Sequence, residues 1–294
     1  MPDTLQRVIA KSGNFFGIAC DTTLLVTEAC RRHDVGPTAA AALGRALTGA
    51  VMLAALLKDD QSVMLRFEGG GPLGKIITEA GYNGWARGYV AEPRADVPLR
   101  QGKIDVAAGL GQAGFLTVTK DIGMKKKYEG MVQLSTGEIS EDIANYLSES
   151  EQIPSAIGLG VHLQPDGSIA AAGGFLVQSL PPADEQLIAG IERQIKGLAS
   201  ITEMLREGKN PGDILAILFA AIPHRATTSK ELTYNCSCSR DKMQRAVFSL
   251  ANAEINYLLD SESGVEVQCE FCRDSYRFAR EDLEKMLALG AGGH

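Results

Sequence analysis

Two closely spaced cysteine pairs near the C-terminal end constrain this chain more than any other feature. Cys236 and Cys238 form a CxC pair, and Cys269 and Cys272 form a CxxC pair about thirty residues later. Two such pairs can supply the four thiolates of a tetrahedral metal site, and zinc is the first candidate because it prefers soft sulfur ligands. A CxxC pair is common, whereas a CxC pair is rare. The combination therefore predicts four metal ligands.

Other interpretations of these cysteines have different consequences. A structural zinc knuckle without a further role stays open on the spacing alone. A thioredoxin-like CxxC should lie between a strand and a helix, but the residues around Cys269 and Cys272 alternate on both sides of a short turn, as in a hairpin. A nucleic-acid-binding zinc ribbon should be basic. Residues 230–285 carry eight Lys or Arg against eleven Asp or Glu, which argues against nucleic acid as a partner.

The composition is that of a globular protein with a sizeable core. The 294 residues are 45% hydrophobic and 22% charged, with a net charge of -7 that disfavours anionic membranes and DNA. Residues 1–4 lack the basic start of an export signal. The longest apolar run, residues 47–57, is far shorter than the roughly 20 residues that span a bilayer. We therefore expect a cytoplasmic protein without a membrane segment, in which the six cysteines stay reduced or bind metal.

The first part of the chain predicts an α+β fold with a mostly antiparallel sheet. A helix over residues 39–58 is apolar nearly all round and should be buried. Cys20 and Cys30 are expected to pack in the core as small hydrophobic residues. Strands are predicted at residues 14–20, 22–27, 157–162 and 169–178 and as an antiparallel series over 62–128, with a further helix at 140–149 capped by Ser140.

The motifs of this first part do not indicate an enzyme. Residues 69–75 match GxxxxGK, but Ile76 follows where a phosphate-binding loop needs Ser or Thr, and the next segment is a predicted strand. We interpret the motif as a hairpin turn. His33, His162 and His224 have no partner that the sequence reveals, so no catalytic constellation is predicted.

Pro181 and Pro182 mark a predicted domain boundary, after which apolar residues recur at helical spacing. This stripe consists of Leu187, Ile191, Ile195, Leu198 and Leu205. It can pack permanently on a neighbouring domain, or it can detach and become exposed, and the sequence leaves both open. Asp213 is the predicted cap of a next helix at 214–221. Helices at 239–259, capped by Ser239, and at 280–289 should frame the hairpin, and residues 290–293 should fray.

This order of parts resembles the bacterial redox-regulated holdase family of the thirty-three-kilodalton heat-shock protein. The specific marks are the stretches 236–240 and 269–272, supported by residues 71–74 and the glycine-rich stretch 108–119. Asp241-Lys242 departs from the family pattern without touching a ligand. The resemblance implies a core domain (1–180), a helical linker (181–229) and a zinc-binding redox-switch domain (230–294).

The family resemblance also implies a function. The reduced form would bind one zinc per chain and be inactive. Oxidation during oxidative stress would form disulfides, expel the zinc and unfold the C-terminal domain and linker. The exposed surface would hold unfolding client proteins without ATP, the oxidised protein would form a homodimer, and clients would pass to the ATP-dependent seventy-kilodalton chaperone system.

The cysteine spacings support such a switch on physical grounds. The C-terminal domain has few large apolar residues, and a structural zinc can contribute on the order of 10 kcal/mol to such a fold. We hypothesise the disulfides Cys236–Cys238 and Cys269–Cys272, each of which closes a short loop worth only about 2 kcal/mol. The stripe defined above is the candidate client-binding surface. A zinc-ribbon module that recruits protein or RNA, with purely structural zinc, is the main alternative, followed by a thiol-disulfide oxidoreductase.

Overall fold

The computed structural model describes residues 2–182, 185–248 and 265–282 and confirms the α+β class. The chain divides into two compact units, Met1–Asn235 and Cys236–His294. We call the first the sheet unit and the second the cysteine unit.

The sheet unit contains two sheets that are antiparallel except for one pair of strands. Its described strands are β1 (Thr4–Ala10), β2 (Phe15–Asp21), β3 (Ser62–Glu68), β4 (Lys75–Gly81), β5 (Trp85–Val90), β6 (Phe115–Asp121), β7 (Tyr128–Gln133), β8 (Ser155–Leu163), β9 (Ile169–Ser179), β10 (His224–Glu231) and β11 (Thr233–Tyr234). The order is β10-β1-β2-β9-β8 in the first sheet and β11-β5-β4-β3-β6-β7 in the second. Only β11 and β5 run parallel among these pairs. The predicted antiparallel series over 62–128 is confirmed, and the GxxxxGK stretch lies in the turn between β3 and β4, without a helix behind it.

Seven described helices accompany these sheets. They are α1 (Thr23–His33), α2 (Pro37–Ala54), α3 (Val106–Leu110), α4 (Ile139–Glu149), α5 (Glu185–Lys196), α6 (Ile201–Arg206) and α7 (Pro211–Leu218). α2 is the predicted buried helix, although it begins at Pro37, whose fixed φ suits a first helical turn, and ends at Ala54. It contacts strands of both sheets. Among the described residues it alone has the length and apolarity to cross a membrane, and 89% of it is buried inside the protein, as for a core helix.

Two glycines let neighbouring elements approach α2 closely. A Cβ on Gly49 would lie 2.4 Å from Ile143 Cδ1, and one on Gly44 would lie 2.7 Å from Val161 Cγ2. Cys20 is fully buried in β2, and Cys30 on α1 packs partly buried against the same core, as predicted.

The predicted strand at residues 22–27 is wrong, because this segment begins α1. Its β-branched residues favour a strand, but buried Asp3 accepts hydrogen bonds from the backbone N–H groups of Leu24 and Leu25, at 3.0 and 2.7 Å. A carboxylate at this position satisfies the free N–H groups of a first helical turn. Ser140 is likewise not the cap of α4, which follows Glu138.

The predicted stripe does not lie on one continuous helix: Leu187, Ile191 and Ile195 lie on α5, Leu205 lies on α6, and Leu198 lies in the connection between them. α5 ends at Lys196, and α6 begins after Ser200, whose side chain accepts a hydrogen bond from the Glu203 N–H. α7 is capped by Asn210, and the Asp213 carboxylate accepts a hydrogen bond from the Asn210 N–H in a capping box instead of acting as the N-cap.

The predicted boundaries at 180 and 229 differ from the division by packing. α5 to α7 belong to the sheet unit, and β10 pairs with β1 at an edge of the first sheet. The backbone of Leu232 then bonds to Asp3, and Asn235 bonds to Ala86. The three-part division stays a prediction about which segments separate on activation.

The cysteine unit contains α8 (Arg240–Phe248) and a hairpin of β12 (Val265–Gln268) and β13 (Ser275–Phe278). Its described apolar interior is small: Val247 and Phe278 are buried, with Met243, Val265, Val267 and Tyr276 packed around them. The hairpin around the CxxC pair and the Ser239 cap are confirmed. The remainder of the helix predicted to 259, most of the helix predicted at 280–289, and residues 290–293 lie outside the described residues.

Candidate metal centre

The CxC pair lies in a loop that is folded against the first turn of α8. Ser239 Oγ accepts a hydrogen bond from the Lys242 N–H at 3.3 Å. Lys242 Nζ in turn donates to the carbonyl and hydroxyl oxygens of Ser237, at 2.6 and 3.0 Å. The residue between Cys236 and Cys238 is thereby tied to the first turn of α8.

The CxxC pair lies in the tight turn between β12 and β13. The Cys269 N–H donates to Asp274 O at 2.9 Å, and the Arg273 N–H donates to Cys269 O at 2.8 Å. Arg273 adopts a left-handed conformation with φ of 63°, which reverses the chain directly after Cys272. The turn therefore brings the sulfur atoms of Cys269 and Cys272 to one side of the hairpin.

The CxC loop and the hairpin turn, which we call the two arms, bring all four predicted cysteines together. Their sulfur atoms lie within 4.8 Å of one another, with 3.9 Å between Cys236 and Cys269 and 3.3 Å between Cys238 and Cys272. Four sulfurs at about 2.3 Å from a tetrahedral zinc ion would be about 3.8 Å apart, so these distances fit one such ion. All four are free thiols. The four clustered cysteines could therefore bind a metal ion.

The surroundings of the CxxC sulfurs require a cation if these sulfurs are to be thiolates. Cys269 and Cys272 are 5% and 1% exposed, and burial raises the pKa of both thiols. Backbone N–H groups oppose this effect: those of Phe271 and Cys272 act on Cys269, and that of Asp274 acts on Cys272, each lowering the pKa. Backbone donors stabilise a thiolate without neutralising its charge. A divalent metal ion would supply the missing positive charge.

Two side chains near the cluster were not singled out by the sequence. Tyr276 Oη lies 3.1 Å from Cys238 Sγ. The guanidinium of Arg240 lies over the Phe278 ring at 4.5 Å and donates to Asp282 at 2.8 Å, which ties α8 to the hairpin. A signal for Tyr276 exists in the hairpin pattern, since alternate residues of β13 share one face with Phe278.

The apolar stripe lies elsewhere, on the outer face of the first sheet. Ile191 is 5% exposed, and the other four residues are partly buried against the same apolar cluster. Phe15 and Phe175 contribute the sheet side of this cluster. A solvent-open pocket of about 170 Å³ lies between α5 and the sheet, lined among others by Phe15, Val177 and Ile195. The helix therefore covers the sheet face without filling it.

The described residues contain no second cluster that could bind a metal ion. Within residues 2–182, 185–248 and 265–282, the four cysteines are the one group of three or more His, Cys, Asp or Glu side chains whose ligand atoms converge. The fold and site thus define an α+β protein with a four-cysteine C-terminal module.

Comparison with known proteins places this protein in a family. The model of the Hsp33 protein family matches residues 3–279. The 33 kDa chaperonin of Desulfotalea psychrophila is 58% identical over 98% of both chains, and that of Geobacter sulfurreducens is 51% identical over 97% of this chain and 94% of the relative. The crystal structure of the 33 kDa chaperonin from Thermotoga maritima matches with a TM-score of 0.93 at 33% identity, with 100% of both chains covered. The chain belongs to the Hsp33 family of chaperones.

Proposed function

We propose that this protein is an ATP-independent holdase chaperone of the bacterial cytosol that oxidation switches on. The observation that carries the proposal is the convergence of four free thiols within 4.8 Å in a unit with a very small apolar interior. Cys236, Cys238, Cys269 and Cys272 would hold one zinc ion in the reduced, inactive state. Bound zinc would supply a cross-link between the CxC loop and the hairpin and would keep all four sulfurs as thiolates.

Oxidation would remove the ligands in pairs. Two thiolates, two protons from solvent and one hydrogen peroxide give one disulfide and two waters, and a sulfur in a disulfide no longer carries the charge that binds a cation. We propose the pairs Cys236–Cys238 and Cys269–Cys272. Each disulfide closes a loop within one arm, so neither joins the loop to the hairpin. The cross-link would be lost, and constraints of only about 2 kcal/mol each would be gained.

The sulfur atoms of different arms already lie close together, so the identity of the disulfides that form tests the proposed loss of the cross-link. A disulfide needs sulfurs at about 2.05 Å, so any pairing requires movement from the present positions. Peptide mapping after peroxide treatment should find the two intra-arm disulfides. A dominant Cys238–Cys272 or Cys236–Cys269 disulfide would leave the arms joined and would contradict the proposed loss of the cross-link.

The client surface would come from the stripe and the sheet face beneath it. α5 covers this face incompletely and leaves a solvent-open pocket beside it, and such incomplete packing would lower the cost of release. Residues 232–235 lead without interruption from the edge strands into Cys236. We propose that loss of order in the cysteine unit spreads to the linker, that unfolding clients bind the stripe, and that the oxidised chains dimerise. Hand-over of clients to the ATP-dependent seventy-kilodalton system completes the proposal.

Aggregation of a thermally unfolding client tests the switch directly. Light scattering is compared for reduced, zinc-loaded protein and for the same protein after peroxide, while a chromophoric chelator measures free zinc. We expect about one zinc per chain to be released by oxidation, and suppression of aggregation only afterwards. Salt-dependent RNA binding without a redox effect would support the zinc-ribbon alternative, and turnover of a disulfide substrate would support an oxidoreductase.

The stripe needs a variant of its own. Replacing Ile191 and Ile195 by Ser removes the one buried residue of the stripe and its neighbour one helical turn later, while leaving the cysteines intact. We expect the oxidised variant to lose holding activity. Arg193→Ser, on the exposed side of the same helix, is the matched control. Unchanged holding by the double variant would exclude the stripe as the client surface.

A further inference from the structure

The cysteine cluster contains a polar side chain that is not one of its ligands. Tyr276 lies on β13, opposite Val267 across the hairpin, and its ring packs into the small apolar cluster around Phe278. Its hydroxyl oxygen lies 3.1 Å from Cys238 Sγ. This is within hydrogen-bond reach for a sulfur partner, so ring packing positions the hydroxyl at one particular sulfur.

The direction of this hydrogen bond follows from the state of the sulfur. A thiolate has no proton to donate, whereas a phenol has one. When Cys238 is a thiolate, Tyr276 must therefore be the donor. Hydrogen bonds from an O–H to a charged acceptor are stronger than those between neutral groups.

Cys238 is also a sulfur for which such a bond has consequences. Cys269 and Cys272 are buried, whereas Cys236 and Cys238 are partly accessible to solvent. An oxidant or alkylating agent from solution therefore meets the CxC pair first. The nucleophilicity of a thiolate falls as its charge is stabilised.

We infer that Tyr276 is a positioning residue that, through its hydrogen bond to Cys238, stabilises this sulfur as a thiolate ligand and restrains its reaction with electrophiles and oxidants. This deepens the proposed function, on which it rests for its biological role. The hydrogen bond would raise the oxidant concentration that is needed for the CxC pair to react. Outer groups that hydrogen-bond to metal ligands characteristically tune both affinity and reactivity.

Site-resolved alkylation of the full-length, reduced, zinc-loaded protein tests the inference. Tyr276→Phe removes the hydroxyl and keeps the ring. We expect iodoacetamide to label Cys238 about 3- to 10-fold faster in this variant, with much smaller changes at Cys269 and Cys272. Mass spectrometry of the four cysteine-containing peptides measures the rates. An unchanged Cys238 rate, or an equal increase at all four cysteines, would overturn the inference.

Phe278→Leu is the matched control for loosening of the unit. It disturbs the same apolar cluster on the same strand and leaves the Tyr276 hydroxyl in place. We expect it to raise labelling at several cysteines without selectivity for Cys238. If Phe278→Leu reproduces the pattern of Tyr276→Phe, packing and not the hydrogen bond controls Cys238, and the inference is wrong.

Cobalt substitution gives a readout that packing alone would not move. A hydrogen bond to a thiolate lowers the energy of its lone pairs, so its loss should shift the sulfur-to-cobalt charge-transfer band to longer wavelength. We expect this shift in Tyr276→Phe, and an apparent zinc affinity that is about 10-fold lower by chelator competition. An identical band and affinity would count against a hydrogen bond in solution.

A second variant keeps the test decisive if Tyr276→Phe does not hold metal. 3-Fluorotyrosine at position 276 retains the ring and the hydroxyl but is a stronger donor. It should slow the labelling of Cys238, the opposite of the effect of Phe. These labelling and absorption measurements do not depend on chaperone activity, so they distinguish a failure of this inference from a failure of the redox switch.

Discussion

The sheet unit and the cysteine unit differ in the interactions available to stabilise each of them. In the sheet unit, α2 and the facing strands form one continuous buried apolar core. In the described part of the cysteine unit, the buried apolar side chains are Val247 and Phe278, beside the sulfurs of Cys269 and Cys272. A buried Leu or Phe stabilises a fold by about 1.5 to 3 kcal/mol, and two such side chains cannot offset the chain entropy lost when the described residues of this unit become ordered. Burial therefore stabilises the sheet unit, whereas we expect the described part of the cysteine unit to depend on its sulfur atoms.

The same residue type shows this difference. Cys20 and Cys30 lie in or against the large core, where burial raises the pKa of the Cys30 thiol to about 12 and that of Cys20 further. Such thiols are neutral and react slowly with oxidants. The other four cysteines converge and together suit a cation. A chemical signal that acts on thiolates should therefore reach the unit whose fold depends on them and leave the other intact.

Metal removal should produce the largest difference in stability between the two units. Treatment of the reduced protein with a chelator should remove on the order of 10 kcal/mol from the cysteine unit. Hydrogen exchange measured by mass spectrometry should then show loss of protection at the amides of Cys269 and Arg273, which hold the hairpin turn. The amides that join β2 to β9 should stay protected.

A cysteine variant supplies the control for this experiment. Cys30→Ser leaves the four clustered cysteines in place, so its response to the chelator should equal that of the unmodified protein. Hairpin amides that stay protected after complete metal removal would break the comparison, because the cysteine unit would then be stable by itself.

A cavity in the core should have the converse effect. Leu47 on α2 is 0% exposed, and Leu47→Ala should lower the stability of the sheet unit by about 3 kcal/mol. Trp85 is the single tryptophan of the chain and lies on β5, so its fluorescence during denaturant unfolding reports on the sheet unit. Leu24→Ala, at a position 57% exposed, should change the midpoint little. A lowered zinc affinity in Leu47→Ala would show that the two units do not respond independently.

The sequence predicted those features that depend on short-range patterns. The spacing of four cysteines indicated the cluster, alternation around Cys269 and Cys272 indicated the hairpin, and an unbroken apolar run indicated α2. These signals are local, because ligand spacing and periodicity are properties of neighbouring residues.

The features that it did not predict depend on contacts between distant residues. α1 begins at a β-branched segment because Asp3 receives its first N–H groups. β10 is a mostly exposed edge strand of polar residues, so no alternation of apolar residues indicates a strand there. The contact of Tyr276 with Cys238 joins residues 38 positions apart. Tertiary contacts fixed the start of α1 and the pairing of β10, whereas for Tyr276 the hairpin pattern indicated the face of the side chain but not its contact with Cys238.

Acidity should change the sheet unit through Asp3. Burial, together with the nearby charge of Asp21, raises the pKa of Asp3 from 3.8 to about 6, although the N–H groups of Leu24 and Leu25 oppose the shift. The folded state thus binds the proton at a higher pH than the unfolded state. The Asp3 contribution to stability should therefore rise as the pH falls from about 7 to about 4, by on the order of 1 to 3 kcal/mol.

Asp3→Asn isolates this contribution, because other carboxyl groups titrate in both proteins. Unfolding midpoints from Trp85 fluorescence are measured between pH 4 and pH 7, and the difference between the two proteins should show the slope. Parallel curves would mean that Asp3 is not a buried, perturbed group in solution. The single tryptophan of the chain lies in the sheet unit, so its fluorescence reports on that unit.

The smallest expected effect lies in α5 to α7, the outer layer that covers the outer face of the first sheet. Asn210 caps α7 by accepting hydrogen bonds from the N–H groups of Gly212 and Asp213, at 2.8 and 3.1 Å. Asn210→Ala should cost about 1 kcal/mol. Because α7 packs through Ile214 and Leu218 on the outer face of the first sheet, the loss should appear as faster hydrogen exchange in α7, with α2 unaffected. Glu207→Ala, which removes an exposed ion pair with Lys209, should leave exchange in α7 unchanged, since such pairs contribute little. Equal acceleration in α7 and α2 would show that the outer layer and the inner core unfold as one body, so that the layer carrying the stripe could not detach from an intact core.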